Sequence, residues 1–329
     1  MTLLRLVDAN NNRACEGLRV LEDVARFKLN DAALQKKLKQ FRHTLRLDIP
    51  KAALWQRESV LDVGAKSAGQ KKLSAADLVS SNAKRVQEAL RVLEDALPRE
   101  SARFQKIRFH IYSIEQMLLG KLARPKIRGV YVVTHDPKLA RQAVRDGASV
   151  IQYRDKFAEP AQKLQRAKLF RKITADGGLP LIINDHPDLA LLVNADGVHL
   201  GQGDYSIAEV RKILPAYMCI GRSTHSIKQG LAAQAQGADY IGVGPVYPTP
   251  TKPGKAPVGL QYVRQAAKQI YIPWVAIGAI GLENADQVIS AGARCIAVLR
   301  AVGAVRQLRQ RLQAKVKSPG FPKKLAMAK

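Results

Sequence analysis

The sequence predicts an α/β protein: a (β/α)8 barrel (TIM barrel) over residues 125–315, preceded by an all-α helical-repeat domain over 1–124 and followed by a basic tail, 316–329. Three observations carry this reading. The first third of the chain repeats its own helical pattern. After Pro125, eight short apolar runs alternate with helical stretches. Polar side chains then gather just after those runs, at one end only.

At 329 residues the chain is long enough for one large domain or two ordinary ones, and at 47% hydrophobic it can build a real core. Its formal charge of +27, from 54 basic and 27 acidic residues, favours anionic partners: nucleic acid, acidic membrane surface or phosphorylated small molecules. An aromatic content of 5%, with no stacking platform or recognition motif, speaks against nucleic acid. No run of about eighteen apolar residues occurs, and polar residues break the start MTLLRLVDANNN where a secretory signal would be apolar. Neither membrane insertion nor secretion is expected. Cys15, Cys219 and Cys295 lie far apart and form no Cys/His cluster, which argues against disulfides or zinc and fits a reducing cytoplasm. The tail carries Lys315, Lys317, Lys323, Lys324 and Lys329 around Gly320 and Pro322 and reads as a disordered basic arm.

In the helical domain, NNNRACEGLRVLED at Asn10–Asp23 matches NAKRVQEALRVLED at Asn82–Asp95. Arg and Glu recur every three residues in both copies, so ion pairs one turn apart can lace one face. Leu18, Leu21 and Val24, like Leu90, Leu93 and Leu97, supply the buried stripe. An asparagine heads each copy as a candidate N-cap. A second helix follows each copy, with Arg42 and His43 in the first and Arg108 and His110 in the second. The pattern predicts two helical hairpins related by pseudo-symmetry. Between them, Ile49 to Leu73 has Pro, Gly, Ser and several lysines without a period, and reads as a loop or lid. The paired Asn, Arg and Glu sets are either surface ion pairs on a packed bundle or the lining of a polar cleft.

Pro125 ends the last of these helices. The strand candidates are then Arg128–Thr134, Ser149–Tyr153, Leu181–Asn184, Gly197–Leu200, Met218–Gly221, Tyr240–Gly244, Pro273–Ile277 and Cys295–Leu299. Helical patterns lie between them, among others at 161–175, 207–214, 227–236, 260–269 and 283–290. Short apolar runs of this kind suit strands buried on both faces.

In such a barrel the chemistry sits on the loops after the strand carboxyl ends. Gln152, Arg154 and Lys156 follow the second run, Asn184 and Asp185 the third, Gln202 and Asp204 the fourth, and Ser223 and His225 the fifth. The sixth opens the stretch GADYIGVGPVYPTPTK, Gly237 to Lys252, in which Thr249, Thr251 and Lys252 put two hydroxyls and an ammonium on one loop: a ready anion site. The seventh ends in Gly278-Ala279, and Leu299 and Arg300 close the eighth. No strand amino end shows a similar set. Asp185 and Asp204 are the hard oxygen ligands that Mg2+ prefers. Arg154, Lys156 and Lys252 would surround a highly charged anion such as a diphosphate. The loops after strands seven and eight are where barrels commonly hold a monophosphate on backbone N–H groups. Two phosphorylated substrates are therefore expected.

Gln152-Tyr153-Arg154-Asp155-Lys156, Ile183-Asn184-Asp185, Asp196 to Gln202 with Asp204, and Gly244 to Lys252 occur in an order and spacing that resemble the thiamine-phosphate synthase family over about residues 127–304. The resemblance implies condensation of 4-amino-2-methyl-5-(diphosphooxymethyl)pyrimidine with 4-methyl-5-(2-phosphooxyethyl)thiazole to thiamine phosphate and diphosphate. It implies Mg2+ on Asp185 and Asp204, and the pyrimidine diphosphate on Gln152, Arg154, Lys156, Asn184, Ser223 and Lys252, with Tyr153 and Asp155 in the same binding stretch. Of these, Arg154, Lys156, Ser223 and Lys252 would act in catalysis. Thr249 and Thr251 would meet the thiazole phosphate, with backbone near Gly278, Ala279, Leu299 and Arg300. The implied mechanism is dissociative, with diphosphate leaving before the thiazole nitrogen attacks, and needs no general base.

Two residues depart from the family pattern: Ala279 stands where a second glycine is usual, and Arg300 where a serine is. If position 279 takes a positive φ, alanine is strained there. A thiazole tautomerase of the same fold, which lacks the full diphosphate set, is the alternative, and a basic nucleic-acid-binding protein a more distant one. The helical repeat resembles a domain fused to some of these synthases and associated with phosphorylating hydroxymethylpyrimidine phosphate, although no Walker-type or protein-kinase loop is present. The expected partners are small phosphorylated molecules, with no nucleic acid and no membrane; homo-oligomerisation stays open.

Overall fold

In the computed structural model of the chain, the described residues are 3–45, 73–249, 254 and 256–317. The expected lid over 49–73, all but its last residue, therefore lies outside them, as do Thr251, Lys252 and the tail from residue 318. The chain divides into two compact units, Met1–Ala123 and Arg124–Lys329.

The first unit is helical: α1 (Leu3–Asp23) runs into a π-helical turn (Val24–Lys28), followed by α2 (Ala32–Thr44), α3 (Ala75–Ala96) and α4 (Ser101–Ala123). Leu18, Leu21, Leu90 and Leu93 are fully buried together with Phe104, Ile111, Ile114 and Leu118, so the expected stripes form the core, except that Leu97 is only half-buried against it. α1 and α3 approach closely at Gly17, where a Cβ would stand 2.6 Å from Val86 Cγ2. The second helix of each copy returns an arginine to the first. Arg42 Nε donates to Glu22 at 3.1 Å; Arg108 grips Glu94 with Nε at 2.6 Å and Nη2 at 3.0 Å. Both glutamates are buried, and each also faces an arginine three residues earlier, Arg19 or Arg91.

The asparagines are not caps. α3 begins instead at Ser74, whose hydroxyl and backbone N–H exchange hydrogen bonds with Asp77. Asn10 and Asn82 lie buried inside their helices, each amide donating at 2.8 Å to the carbonyl one turn back, Leu6 or Leu78. A side chain that feeds its donor into the preceding turn does not compete with the helix, so the helix runs through it.

The second unit is a closed barrel in which eight parallel strands pair in sequence order: β1 (Gly129–Thr134), β2 (Val150–Tyr153), β3 (Leu181–Asn184), β4 (Gly197–Leu200), β5 (Cys219–Thr224), β6 (Tyr240–Val243), β7 (Trp274–Ile277) and β8 (Cys295–Val298). Helices α5 (Pro137–Arg145), α6 (Pro160–Asp176), α7 (Pro187–Leu192), α8 (Ile207–Ile213), α9 (Ile227–Ala235), α10 (Gly259–Gln269), α11 (Ala285–Ser290) and α12 (Val305–Lys317) lie in the connections and after β8. α12 thus takes in the first two residues of the expected tail. β5 runs three residues past its expected end, which places Ser223 inside the strand.

Alternation divides each strand between two cores. Val130, Val132, Ile151, Tyr153 and Ile183 pack outward with the helices, while Tyr131, Val133, Val150, Ile182, Cys219, Tyr240 and Cys295 fill the interior. At the strand amino ends the structure differs from expectation, because polar residues do gather there. Asp239 accepts from Arg124, from Arg211 and from the Ile220 N–H, and Asp196 from Arg171 and the Leu181 N–H. They bind one another and the strand starts, which is a structural task.

Candidate active site

At the carboxyl ends of the strands opens a cavity of about 440 Å³. Its wall includes Gln152 and Arg154 from β2 and its loop, Asn184 from β3, Ser223 from β5, Thr249 after β6, Gly278 and Ala279 after β7, and Leu299 and Arg300 after β8. Most of the residues expected from the sequence therefore surround one space.

On one side, Asp185 stands in the left-handed region at φ 63°, held by its N–H on the His199 carbonyl at 2.9 Å. Burial raises its carboxyl above the usual range, and the facing Asp204 carboxyl, in hydrogen-bond reach, raises it further; the Lys156 ammonium works against both. Asp204 Oδ2 accepts from the Gly201 N–H at 2.6 Å. Burial pushes the Arg154 guanidinium below its ordinary value, and nearby Asp185 opposes that. Two half-buried carboxyls facing each other beside two cations form a site that a proton or a divalent cation would relieve. The donor set, two carboxylates with open positions for water and phosphate oxygens, fits Mg2+.

Sequence reasoning missed the residue that shapes this corner, Arg222. Its guanidinium donates to the Tyr205 carbonyl at 2.9 Å and the Gln202 carbonyl at 3.3 Å, and Gln202 Nε2 in turn donates to the Ser223 carbonyl at 2.5 Å. The loop bearing Asp204 is thereby tied to β5. A charged residue alternating with Gly221 and Ser223 in a buried strand was the available signal.

Polar side chains also bridge the barrel interior at the floor of the cavity, which Tyr131, His199 and Tyr240 line. Gln152 Nε2 donates to Tyr131 Oη at 2.9 Å, and Tyr131 and Tyr240 hydroxyls meet at 3.0 Å. Tyr240 Oη lies 3.0 Å from His199 Nδ1, and His199 Nε2 2.9 Å from Ser223 Oγ. Burial drives both phenols well above their ordinary pKa, so they stay neutral. Glycine at 221 leaves room for this bridge, because a Cβ would fall 2.2 Å from the Tyr240 ring and 2.5 Å from His199 Nδ1.

On the opposite side, Gly278 takes φ 117° and Ala279 φ 47°, so alanine does occupy a left-handed position. Asn284, also unforeseen, fixes this loop. Its Nδ2 donates to the Ala279 carbonyl at 2.9 Å, and its Oδ1 accepts from the Gly281 N–H at 3.0 Å. Arg300 is exposed at the cavity wall.

Two residues of the expected binding set lie elsewhere. Tyr153 points outward, its ring 4.8 Å from that of Phe170 on α6, and burial, then Asp155, pushes its phenol up to about 12. Asp155 accepts from the N–H groups of Phe157 and Ala158, both at 3.1 Å, and pairs with Arg166. Burial alone would raise the Asp155 carboxyl; these donors hold it below the usual range. Both residues shape the loop that carries Arg154 and Lys156. Strand parity explains the division, since Gln152 faces inward and its neighbour Tyr153 cannot.

Residues 130–302 match the family model described as thiamine monophosphate synthase, and residues 5–117 match the ThiD2 family. A thiamine-phosphate synthase of Synechocystis sp. is 41% identical over 316 residues, covering 91% of this chain and 91% of that one. One from Nostoc punctiforme is 39% identical, covering 91% and 89%. Among solved structures, thiamine phosphate pyrophosphorylase from Pyrococcus furiosus superposes with a TM-score of 0.53 at 33% identity, over 57% of this chain and 96% of that chain.

Proposed function

The chain belongs to the thiamine-phosphate synthase family, transferases of thiamine biosynthesis, and on that premise we propose that it joins 4-amino-2-methyl-5-(diphosphooxymethyl)pyrimidine to 4-methyl-5-(2-phosphooxyethyl)thiazole, forming thiamine phosphate and diphosphate. One observation carries the reading: Arg154, Asn184 and Ser223, on separate strand ends, line one cavity, with Lys156, Asp185 and Asp204 beside Arg154 and Asn184. A cavity with two cations and two carboxylates at one end suits a charged leaving group, as a dissociative transfer requires.

Arg154 and Lys156, with Lys252 outside the described residues, bind the diphosphate and stabilise its negative charge as the C–O bond to the pyrimidine methylene breaks with both electrons. Asp185 and Asp204 would hold Mg2+, which supplies further charge neutralisation on the departing diphosphate. Gln152 faces the pyrimidine, and Thr249 with the 278–281 loop orients the thiazole phosphate. The thiazole nitrogen then donates its lone pair to the methylene carbon, forming the new C–N bond.

Diphosphate release is measured with both substrates and Mg2+, and then with EDTA. Thiamine phosphate formed only with the metal supports the reading; no product from well-folded protein removes it. Repeating the assay with the pyrimidine monophosphate and ATP tests whether the helical unit, through its ThiD2 match, supplies the diphosphate. Among the described residues no helix is long and apolar enough to cross a membrane, and the scattered cysteines suit a reducing cytoplasm.

A further inference from the structure

We infer that Gln152, Tyr131, Tyr240 and His199 form a one-directional hydrogen-bond relay, its sense set by the Gln152 amide, which keeps Ser223 as a hydrogen-bond donor to the cavity. The four bonds, 2.9, 3.0, 3.0 and 2.9 Å long, join side chains from β2, β1, β6, β4 and β5 across the barrel interior. Each hydroxyl has one proton, so making all four bonds leaves the relay two senses. Gln152 Nε2 faces Tyr131 and can only donate. Tyr131 must then donate to Tyr240, and Tyr240 to His199 Nδ1. That leaves the imidazole neutral with its proton on Nε2, donating to Ser223 Oγ. Ser223 accepts there and keeps its own proton for an acceptor on the cavity side, where it forms part of the wall.

The reverse sense would need the Gln152 amide turned over, so that Oε1 and not Nε2 faces Tyr131, and would turn Ser223 toward His199, leaving lone pairs facing an anion. An imidazolium fails too, because its Nδ1–H would oppose the Tyr240 proton, and the four bonds could not all be made at once. Bonds in such a chain also polarise one another in a low-dielectric interior. The room left at Gly221 for the His199–Tyr240 bond is an independent mark of this arrangement. Tyr131, Tyr240 and His199 are thus positioning residues, acting through Ser223. That a Ser223 donor aids the departure of diphosphate rests on the synthase reading; the tautomer does not.

The test is made on the ligand-free full chain, labelled with 15N, by long-range 1H–15N correlation at neutral pH. His199→Gln identifies the ring signals. The expected result is a neutral ring protonated on Nε2 in the natural protein. Gln152→Glu, which replaces the donor by an acceptor, should reverse the relay and move the proton to Nδ1. Tyr240→Phe, which keeps the ring and removes the link, should leave a mixture of tautomers if the glutamate variant does not fold. An Nδ1-protonated or doubly protonated ring in the natural protein overturns the inference. So does a tautomer that stays the same in both variants. In turnover, Tyr240→Phe should lower kcat about ten- to a hundredfold with little change in KM, as for a lost donor to developing charge. A change in KM alone would refute the role assigned to Ser223.

Discussion

Replacing Ala279 by glycine should stabilise the barrel, although it removes a methyl group from a cavity wall. Ala279 sits at φ 47°, immediately after Gly278 at φ 117°, and Asn284 clamps its carbonyl at 2.9 Å. An L-residue in the left-handed region costs roughly 1–2 kcal/mol, and glycine there costs almost none. Against this, glycine widens the unfolded ensemble by about 0.4–1 kcal/mol. The net expectation is a gain on the order of 0.5–1 kcal/mol, a rise in Tm of about 2–4 °C per kcal/mol for a unit of this size. Ala301, in the same cavity wall but at φ −85°, is the control. Ala301→Gly has the entropy cost without relief of strain and should lose about 0.5–1 kcal/mol. Urea unfolding of both variants, with equal m values, reads the difference. If Ala279→Gly destabilises as much as Ala301→Gly, the backbone strain argued for this loop does not exist.

Asp204→Asn keeps an oxygen for the Gly201 N–H but halves the carboxylate pair, so kcat should fall at least about a hundredfold with Tm almost unchanged; an active variant would exclude this pair as the metal site. Glu94→Gln should destabilise the helical unit by about 3 kcal/mol, because it leaves Arg108 without its charge partner beside a buried group. Arg91→Ala, at the exposed arginine on the same glutamate, should cost under about 1 kcal/mol, and thermal melts of the two distinguish them. Burial raises the thiol pKa of Cys219 and Cys295 well above the ordinary value, so iodoacetamide at pH 8 should reach neither before unfolding. Because these raised values favour protonation in the folded state, stability should decline as pH rises past the free-thiol value, about 8.5; urea midpoints at pH 7.5 and 9.5 check the sign.

The barrel was legible because its signals are local. Apolar runs of four to six residues, helical periods between them, and polar residues just after each run need no knowledge of distant partners. The helical repeat was legible for the same reason, down to its buried leucines. Less visible were the roles inside each motif. Gln152 to Lys156 reads as one block, yet parity sends Gln152 into the barrel and Tyr153 out to Phe170, while Asp155 holds its own loop. Asn10 and Asn82 looked like caps because the repeat begins with them, whereas Ser74 caps α3 eight residues earlier.

By itself, the sequence determined the element order, the end of the barrel where the cavity opens, the two carboxylates and their neighbouring cations, and the presence of alanine at 279. Tertiary structure alone decided which distant side chains meet inside the barrel: Gln152 with Tyr131, Tyr240 with Tyr131 and His199, and His199 with Ser223. Local pattern follows from the three or four neighbours along a chain, but these pairs lie on different elements and meet only once strand register and closure set their relative height. A shift of one residue would turn each inward side chain out, and no local propensity records that choice.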